Sequence, residues 1–288
     1  MRLTPLVLLT SALGVLAASL PFIVTTGPGP TEHLAVTGKL VRLYGHGPYR
    51  NMPADVAVQG LAQDLVTLLA GLPLLLAALW LARRGSRVGY LLLTGSAGYL
   101  FVQYVLYLAM GTYNELFLIW VALVLLLFQL LVRLLLWGAS EAPDWPQPPA
   151  AVRRYVGGYL LFTGTSMALL WLGVIVPPLL DGRFYPDALA HLTTMVVQGF
   201  DLAIFLPAAL LAGYHCLRGT PAGRLLAPVF AVFLSLQMTA LLAKIGWMTT
   251  IGAPAGPALA IIPLLLAGAL AAAYLALRAQ ARPHHRLS

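Results

Sequence analysis

The sequence predicts an all-α fold: a polytopic integral membrane protein with eight transmembrane helices, arranged as two tandem, parallel four-helix repeats. Three observations carry that prediction. Of 288 residues, 60% are hydrophobic and only 9% are charged, and the mean hydropathy is +0.87. A soluble domain carries roughly 25% charged residues, so this chain lacks the polar surface to cover a globule in water. Eight apolar runs are each long enough to cross about 30 Å of hydrocarbon at 1.5 Å per helical residue. Finally, the Pro, Gly, Arg and Gln residues that punctuate these runs recur at a spacing of 134 residues.

The runs fall at 5–26, 53–83, 87–111, 115–138, 154–177, 186–217, 221–249 and 256–278. The first follows Arg2 and contains small residues, as a signal peptide does, but seven more spans follow it, which favours a retained helix. Pro53 and Pro186 open the second and sixth runs, where a missing N–H costs least. Pro73 and Pro207 interrupt the same two runs and predict kinks. Between the fourth and fifth runs, Glu141 to Pro149 contains four prolines, which forbid a continuous helix and favour an extended connector.

That connector divides the chain into a first repeat (1–140), a linker (141–152) and a second repeat (153–288). At the 134-residue spacing, Pro73 matches Pro207, Arg84 and Gly85 match Arg218 and Gly219, Gly89 matches Gly223, and Gln103 matches Gln237. Thr10 and Ser11 in the first run resemble Thr165 and Ser166 in the fifth. Leucines align by chance in such runs and carry no weight. Four spans per unit return the chain to the side it started from, so the copies enter the membrane in the same direction. They are then related by an axis along the membrane normal.

Counting cations in alternate loops orients the chain. Twelve arginines lie on the side of the termini, and Lys39, Arg42, Arg50 and Arg183 lie on the other. The positive-inside rule therefore places both termini in the cytoplasm of a cell (inner or plasma) membrane, with the long loop 27–52 outside. Trp137 and Trp145 towards the inner face, and Tyr113 and Trp247 towards the outer, fit interfacial belts.

The net charge of +8 is spread as short clusters between apolar runs, not gathered into a basic face, which argues against nucleic acid as a partner. The single cysteine, Cys216, cannot form an intrachain disulfide, and no Cys/His set has zinc spacing. There is no phosphate-loop motif; Gly45, His46 and Gly47 alone are too short for one. Bis-His haem ligation needs His facing His, whereas His191 and His215 fall at opposite ends of one run. No cofactor is expected. The expected partners are the bilayer and a small-molecule or lipid ligand.

Chemistry is concentrated in a few polar residues inside the runs. Asp64, Asp201 and Lys244 each cost roughly 2.5–3.5 kcal/mol to insert, so each needs a partner, a cavity or the headgroups. All three lie in the outer half. His191, Thr194, Gln198 and Asp201 follow a helical stripe, as do Ser96, Tyr99, Gln103 and Tyr107, while Gln237 and Lys244 share a face and Glu115 opens the fourth run. Convergence of these stripes would create an outward-facing polar pocket containing Asp64, Gln103, Tyr107, Glu115, Gln198, Asp201, Gln237 and Lys244. The structural alternatives are a buried Asp201–Lys244 ion pair, glutamines that hydrogen-bond helices together, and an Asp64 merely solvated at a helix end. In the outer loop, Tyr44, His46, Tyr49 and Arg50 cluster among turn-forming Gly and Pro, as a cap or as contacts to a ligand.

Three functions accommodate these features. A small-solute or proton-coupled transporter uses the parallel repeat and the acidic residues. A receptor or accessory protein uses the pocket only to bind a lipid or partner. A membrane-embedded enzyme acting on a lipid-like substrate at the outer leaflet needs a positioned acid and base.

Overall fold

The structure, a computed structural model, describes residues 3–183, 185–186, 189–252, 256 and 258–281. Among these residues eight helices are long and apolar enough to cross a membrane. They are α1 (Thr4–Ile23), α2 (Ala54–Arg83), α3 (Arg87–Met110), α4 (Phe117–Glu141), α5 (Ala150–Leu180), α6 (Val196–Arg218), α7 (Pro221–Thr250) and α8 (Ala258–Ala281). The loop after α1 is not irregular. It contains an antiparallel ribbon of β1 (Thr31–Leu34) and β2 (Leu40–Leu43), with Thr31 opposite Leu43 and Leu34 opposite Leu40.

Local chemistry accounts for the helix ends. Ser86 caps α3 by accepting from Gly89 N–H (3.1 Å), and Thr220 caps α7 by accepting from Gly223 N–H (3.3 Å). The tight α2–α3 and α6–α7 turns pass through Gly85 (φ +78°) and Gly219 (φ +68°), where a side chain would be strained. Pro73 and Pro207 do not break their helices. Each follows one turn of wider π-helix, Thr67–Gly71 in α2 and Asp201–Phe205 in α6, which relieves the clash between the proline ring and the preceding turn.

Most predicted boundaries agree to within a few residues, but the start of α6 does not. The helix begins at Val196, not at 186. Ala190 adopts φ +51°, and the N–H of Leu192 bonds Leu189 O in a turn, so the segment before Val196 is not helical. His191 and Thr194 therefore do not share a helical stripe with Gln198 and Asp201. The connector is also shorter than the predicted 141–152: α4 reaches Glu141, Ala142–Asp144 form a 3₁₀ turn, and α5 starts at Ala150.

Helices α1–α4 pack as one four-helix bundle and α5–α8 as another. The central pair is α3 and α7. A Cβ added at Gly95 would stand 2.6 Å from Val232 Cβ, so the two helices touch there through a bare backbone. Within the second bundle, Gly157 of α5 and Gly213 of α6 give a similar approach: a Cβ on either would lie within 3 Å of the other's carbonyl oxygen.

Burial is uneven. The first bundle has a core along its whole length, from Tyr49, Tyr104 and Trp120 at the end bearing the β-ribbon to Tyr90, Leu134 and Trp145 at the connector end. The buried residues of the second bundle, including Leu160, Ala212, Ala231, Ala272 and Ala276, lie towards the connector end. From residue 165 to 180 of α5 nothing is buried, and in the first turns of α6 only Val196 is. The first half of α2 packs firmly on α7, whereas α6 meets α3 chiefly through Val196–Phe200. The second bundle is thus splayed at the ribbon end.

Candidate functional site

The splay leaves a cavity of about 420 Å³ between α2, α3, α5, α6 and α7, within the range of small-molecule sites. Six of the eight predicted pocket residues line it: Gln103 and Tyr107 from α3, Gln198 and Asp201 from α6, and Gln237 and Lys244 from α7; the Tyr107 hydroxyl turns away towards Asp64. Asp64 and Glu115 do not line it.

Asp64 is fully buried behind the cavity wall, not solvated at a helix end. Tyr49 donates to its Oδ2 (2.6 Å), and Tyr107 lies 3.1 Å from its Oδ1 and 2.9 Å from Gly60 O. Glu115 instead accepts from Arg50 at the surface (2.6 Å). That contact holds the Glu115 carboxyl below its ordinary range and raises the Arg50 guanidinium. Tyr44 and His46 form an edge-to-face ring pair, 5.4 Å between centroids. None of Tyr44, His46, Tyr49 and Arg50 lines the cavity; they fasten the loop to the first bundle.

A glutamine cluster forms the wall on the α2–α3 side. Gln63 Nε2 donates to Tyr99 Oη (2.6 Å) and to Gln103 Oε1 (3.3 Å), and Thr67 Oγ1 lies 2.8 Å from the same Gln103 oxygen. This is the interhelical bonding anticipated for Gln103, but it is incomplete. Gln63 Oε1 and Gln103 Nε2 are buried without partners, and so is Thr163 Oγ1 across the cavity on α5. Buried polar atoms nearly always find a partner, so these three are exceptions within the walls of the cavity.

The two charges, Asp201 of α6 and Lys244 of α7, line the same cavity. Asp201 and Lys244 do not form the anticipated ion pair. Trp171 of α5 donates its indole N–H to Asp201 Oδ2 (2.7 Å), and Lys244 makes no hydrogen bond or ion pair with a described residue. Asp201 opens the π turn of α6, in the part of that helix that stands off from α7, whereas Leu206–Arg218 packs on α7. The rest of the wall is apolar, including Met110, Met167, Phe233 and Met238.

Leu192, Thr194 and Met195 of the segment before α6 and Asp55 of α2 also line the cavity. His191 of that segment meets His33 of β1, with ring centroids 5.6 Å apart, so the ribbon touches the segment that leads into α6. Burial, and secondarily the neighbouring His33, lowers His191 from its ordinary value.

A second hollow, of about 490 Å³, lies at the connector end between α1, α2, α3 and α4 and includes Arg83, Arg87, Trp137 and Trp145. Arg87 is already engaged there, donating to Gln280 O and lying over the Trp145 ring. None of the predicted site residues borders it.

Gln63, Thr163 and Trp171 were not singled out from the sequence. Gln63 carried a readable signal, since Gln59, Gln63 and Thr67 follow one another at i, i+4 and i+8 on one face of α2. Thr163 and Trp171 sit in a leucine-rich run with nothing to distinguish them. No known family model, curated protein or solved structure matches the chain.

Proposed function

We propose that this chain is an integral membrane protein with both termini in the cytoplasm, built from two tandem parallel repeats, and that it carries a small polar solute from an outward-open cavity. The cavity is the observation that carries the proposal: an accessible space among helices, with Lys244 unpaired and Asp201 turned to α5, next to buried amides that lack partners. Charges are placed among apolar helices at high cost and are retained where they meet a solute or an ion.

The repeat reading is supported by geometry at matching positions. The capping pairs Ser86–Gly89 and Thr220–Gly223, the left-handed Gly85 and Gly219, and the π turns at 67–71 and 201–205 are all 134 residues apart. Gly95 lies against Val229, its own counterpart at that spacing, as it must where a pseudo-twofold axis passes between α3 and α7. Under that symmetry the close α2–α7 contact corresponds to the open α6–α3 contact. The first half is then a template for a closed second half, in which α6 moves onto α3 and α7 and occludes the cavity.

Asp201 is the group suited to proton coupling, because Asp64 is sealed behind Tyr49 and Tyr107. In proteoliposomes, Asp201→Asn is expected to lower uptake at least tenfold while the protein elutes as a single species; undiminished uptake would remove Asp201 from the mechanism. The receptor reading is favoured by one observation, the tight Ala/Gly packing of the second bundle at its connector end. Ligand binding without uptake, under any gradient, would decide for it.

A further inference from the structure

We infer that the solute is a zwitterion, bound with its ammonium group at Asp201 and its anionic group at Lys244. The inference rests on the reading of the cavity as the solute site and concerns what that site selects.

Opposite charges sharing a sheltered cavity attract strongly, because little water screens them. Left to themselves, a flexible lysine and an aspartate on adjoining helices close to contact. Here they do not: Asp201 is anchored to Trp171 through Oδ2, and among the described residues its Oδ1 accepts no hydrogen bond and Lys244 has no carboxylate within the 4.0 Å that defines an ion pair. A carboxylate and an ammonium that share a cavity without pairing are complementary to a molecule that carries the reverse arrangement. A simple anion would satisfy Lys244 and repel Asp201, and a simple cation would do the opposite. A zwitterion serves both, and the net charge of the occupied site stays unchanged, which limits the desolvation cost.

The remaining lining fits the same molecule. Met110, Phe233 and Met238 offer an apolar wall for an uncharged substituent, and the polar Gln198 and Gln237 line the same cavity. The first repeat indicates that both charges are additions. At the 134-residue spacing Asp201 corresponds to Thr67 and Lys244 to Met110, neither of them charged, and Thr67 there simply contacts Gln103. At these two matched positions the charges occur only in the second half.

Two sources supply this chemistry: a free amino acid with an apolar side chain, or the headgroup of a lipid bearing a primary amine and a phosphate. The test is thermal unfolding of the full chain, purified in detergent, with leucine, methionine or phenylalanine, and with the N-acetyl and amide derivatives that each lack one charge. A parallel series uses nanodiscs of phosphatidylcholine, whose trimethylammonium has no N–H to donate, with and without phosphatidylethanolamine. The expected result is a rise in midpoint of about 2 °C or more with a free amino acid but not with its derivatives, or with phosphatidylethanolamine alone if the source is lipid. Asp201→Thr and Lys244→Met, which install the first-repeat residues, should each abolish the shift.

A shift of equal size with an acetylated or amidated derivative overturns the inference. So does a shift that survives in both variants, or the absence of any shift with all zwitterions. Should a variant fail to fold, the wild-type ligand series decides alone. Binding of a zwitterion that is never taken up into liposomes sinks the carrier proposal and leaves this inference standing. Uptake of a solute lacking one of the two charges does the reverse.

Discussion

At the scale of single residues, the protein treats the polar groups within its apolar helices in two ways. Asp64 is given everything it needs: two tyrosine hydroxyls converge on its carboxyl group, and no solvent reaches it. Removing one donor from such a buried group costs its desolvation penalty, so Tyr49→Phe is expected to destabilise the protein by about 1–3 kcal/mol. A melting curve in detergent unchanged from wild type would show that the Tyr49–Asp64 bond is dispensable. The Arg50–Glu115 pair, at the surface, is a different case, with side chains 34% and 60% exposed. The Glu115 carboxyl is held below its ordinary value of 4.5, so the pair's contribution is present above that pH and is lost as the pH falls through the depressed value. The gap in melting temperature between wild type and Glu115→Gln should therefore close as the pH is lowered below 4.5. A gap that stays constant would contradict the pairing. Asp64, Asp201 and Lys244 were legible as sites of interest because a charge in an apolar run is costly wherever it faces. Which of them is sealed and which is exposed to a cavity depends on Tyr49 and Trp171, distant in sequence and ordinary in type.

At the scale of elements, the informative feature is the pair of proline-containing helices. Pro73 and Pro207 announced kinks, and the structure meets them with π turns that also re-aim the side chains just before each proline. In α2 that turn presents Thr67 to Gln103; in α6 it presents Asp201 to Trp171. The turns that precede α3 and α7 share one design, a left-handed glycine followed by a hydroxyl cap. Ser86→Ala and Thr220→Ala should accordingly cost similar amounts, each about 0.5–2 kcal/mol, in chemical or thermal unfolding. A cost confined to one of the two would mean that the matching caps do not do matching work. The late start of α6 was not legible: residues 186–195 have acceptable helical composition, and nothing local announces the positive φ of Ala190 or the meeting of His191 with His33 from the distant ribbon.

At the scale of the whole molecule, orientation and openness are the properties that matter for function. The excess of arginine on the side of the termini predicts that the β-ribbon faces outward. With the single cysteine removed by Cys216→Ala, a cysteine at Val36, which is exposed in the ribbon, should react in intact cells with a membrane-impermeant maleimide. One at Ala139, exposed at the end of α4, should react only after permeabilisation. The opposite pattern would invert the topology. At the ribbon end the two bundles differ: α2 packs closely on α7, whereas α6 meets α3 chiefly through Val196–Phe200.

What the sequence determined by itself follows from the solvent: a bilayer forces long apolar helices, tolerates few charges and sorts arginines by side, and each of these rules acts on local composition. Helix number, the special role of Pro73 and Pro207 and the short list of charged residues were therefore readable along the chain. Only the tertiary structure decided that Asp64 is closed off, that Asp201 bonds Trp171 and makes no ion pair with Lys244, and that Gln63 and Gln103 line the cavity those two share. Those outcomes depend on the distances between helices, which are set by how small residues such as Gly95, Gly157 and Gly213 let backbones meet, and no local pattern encodes the sum of such contacts.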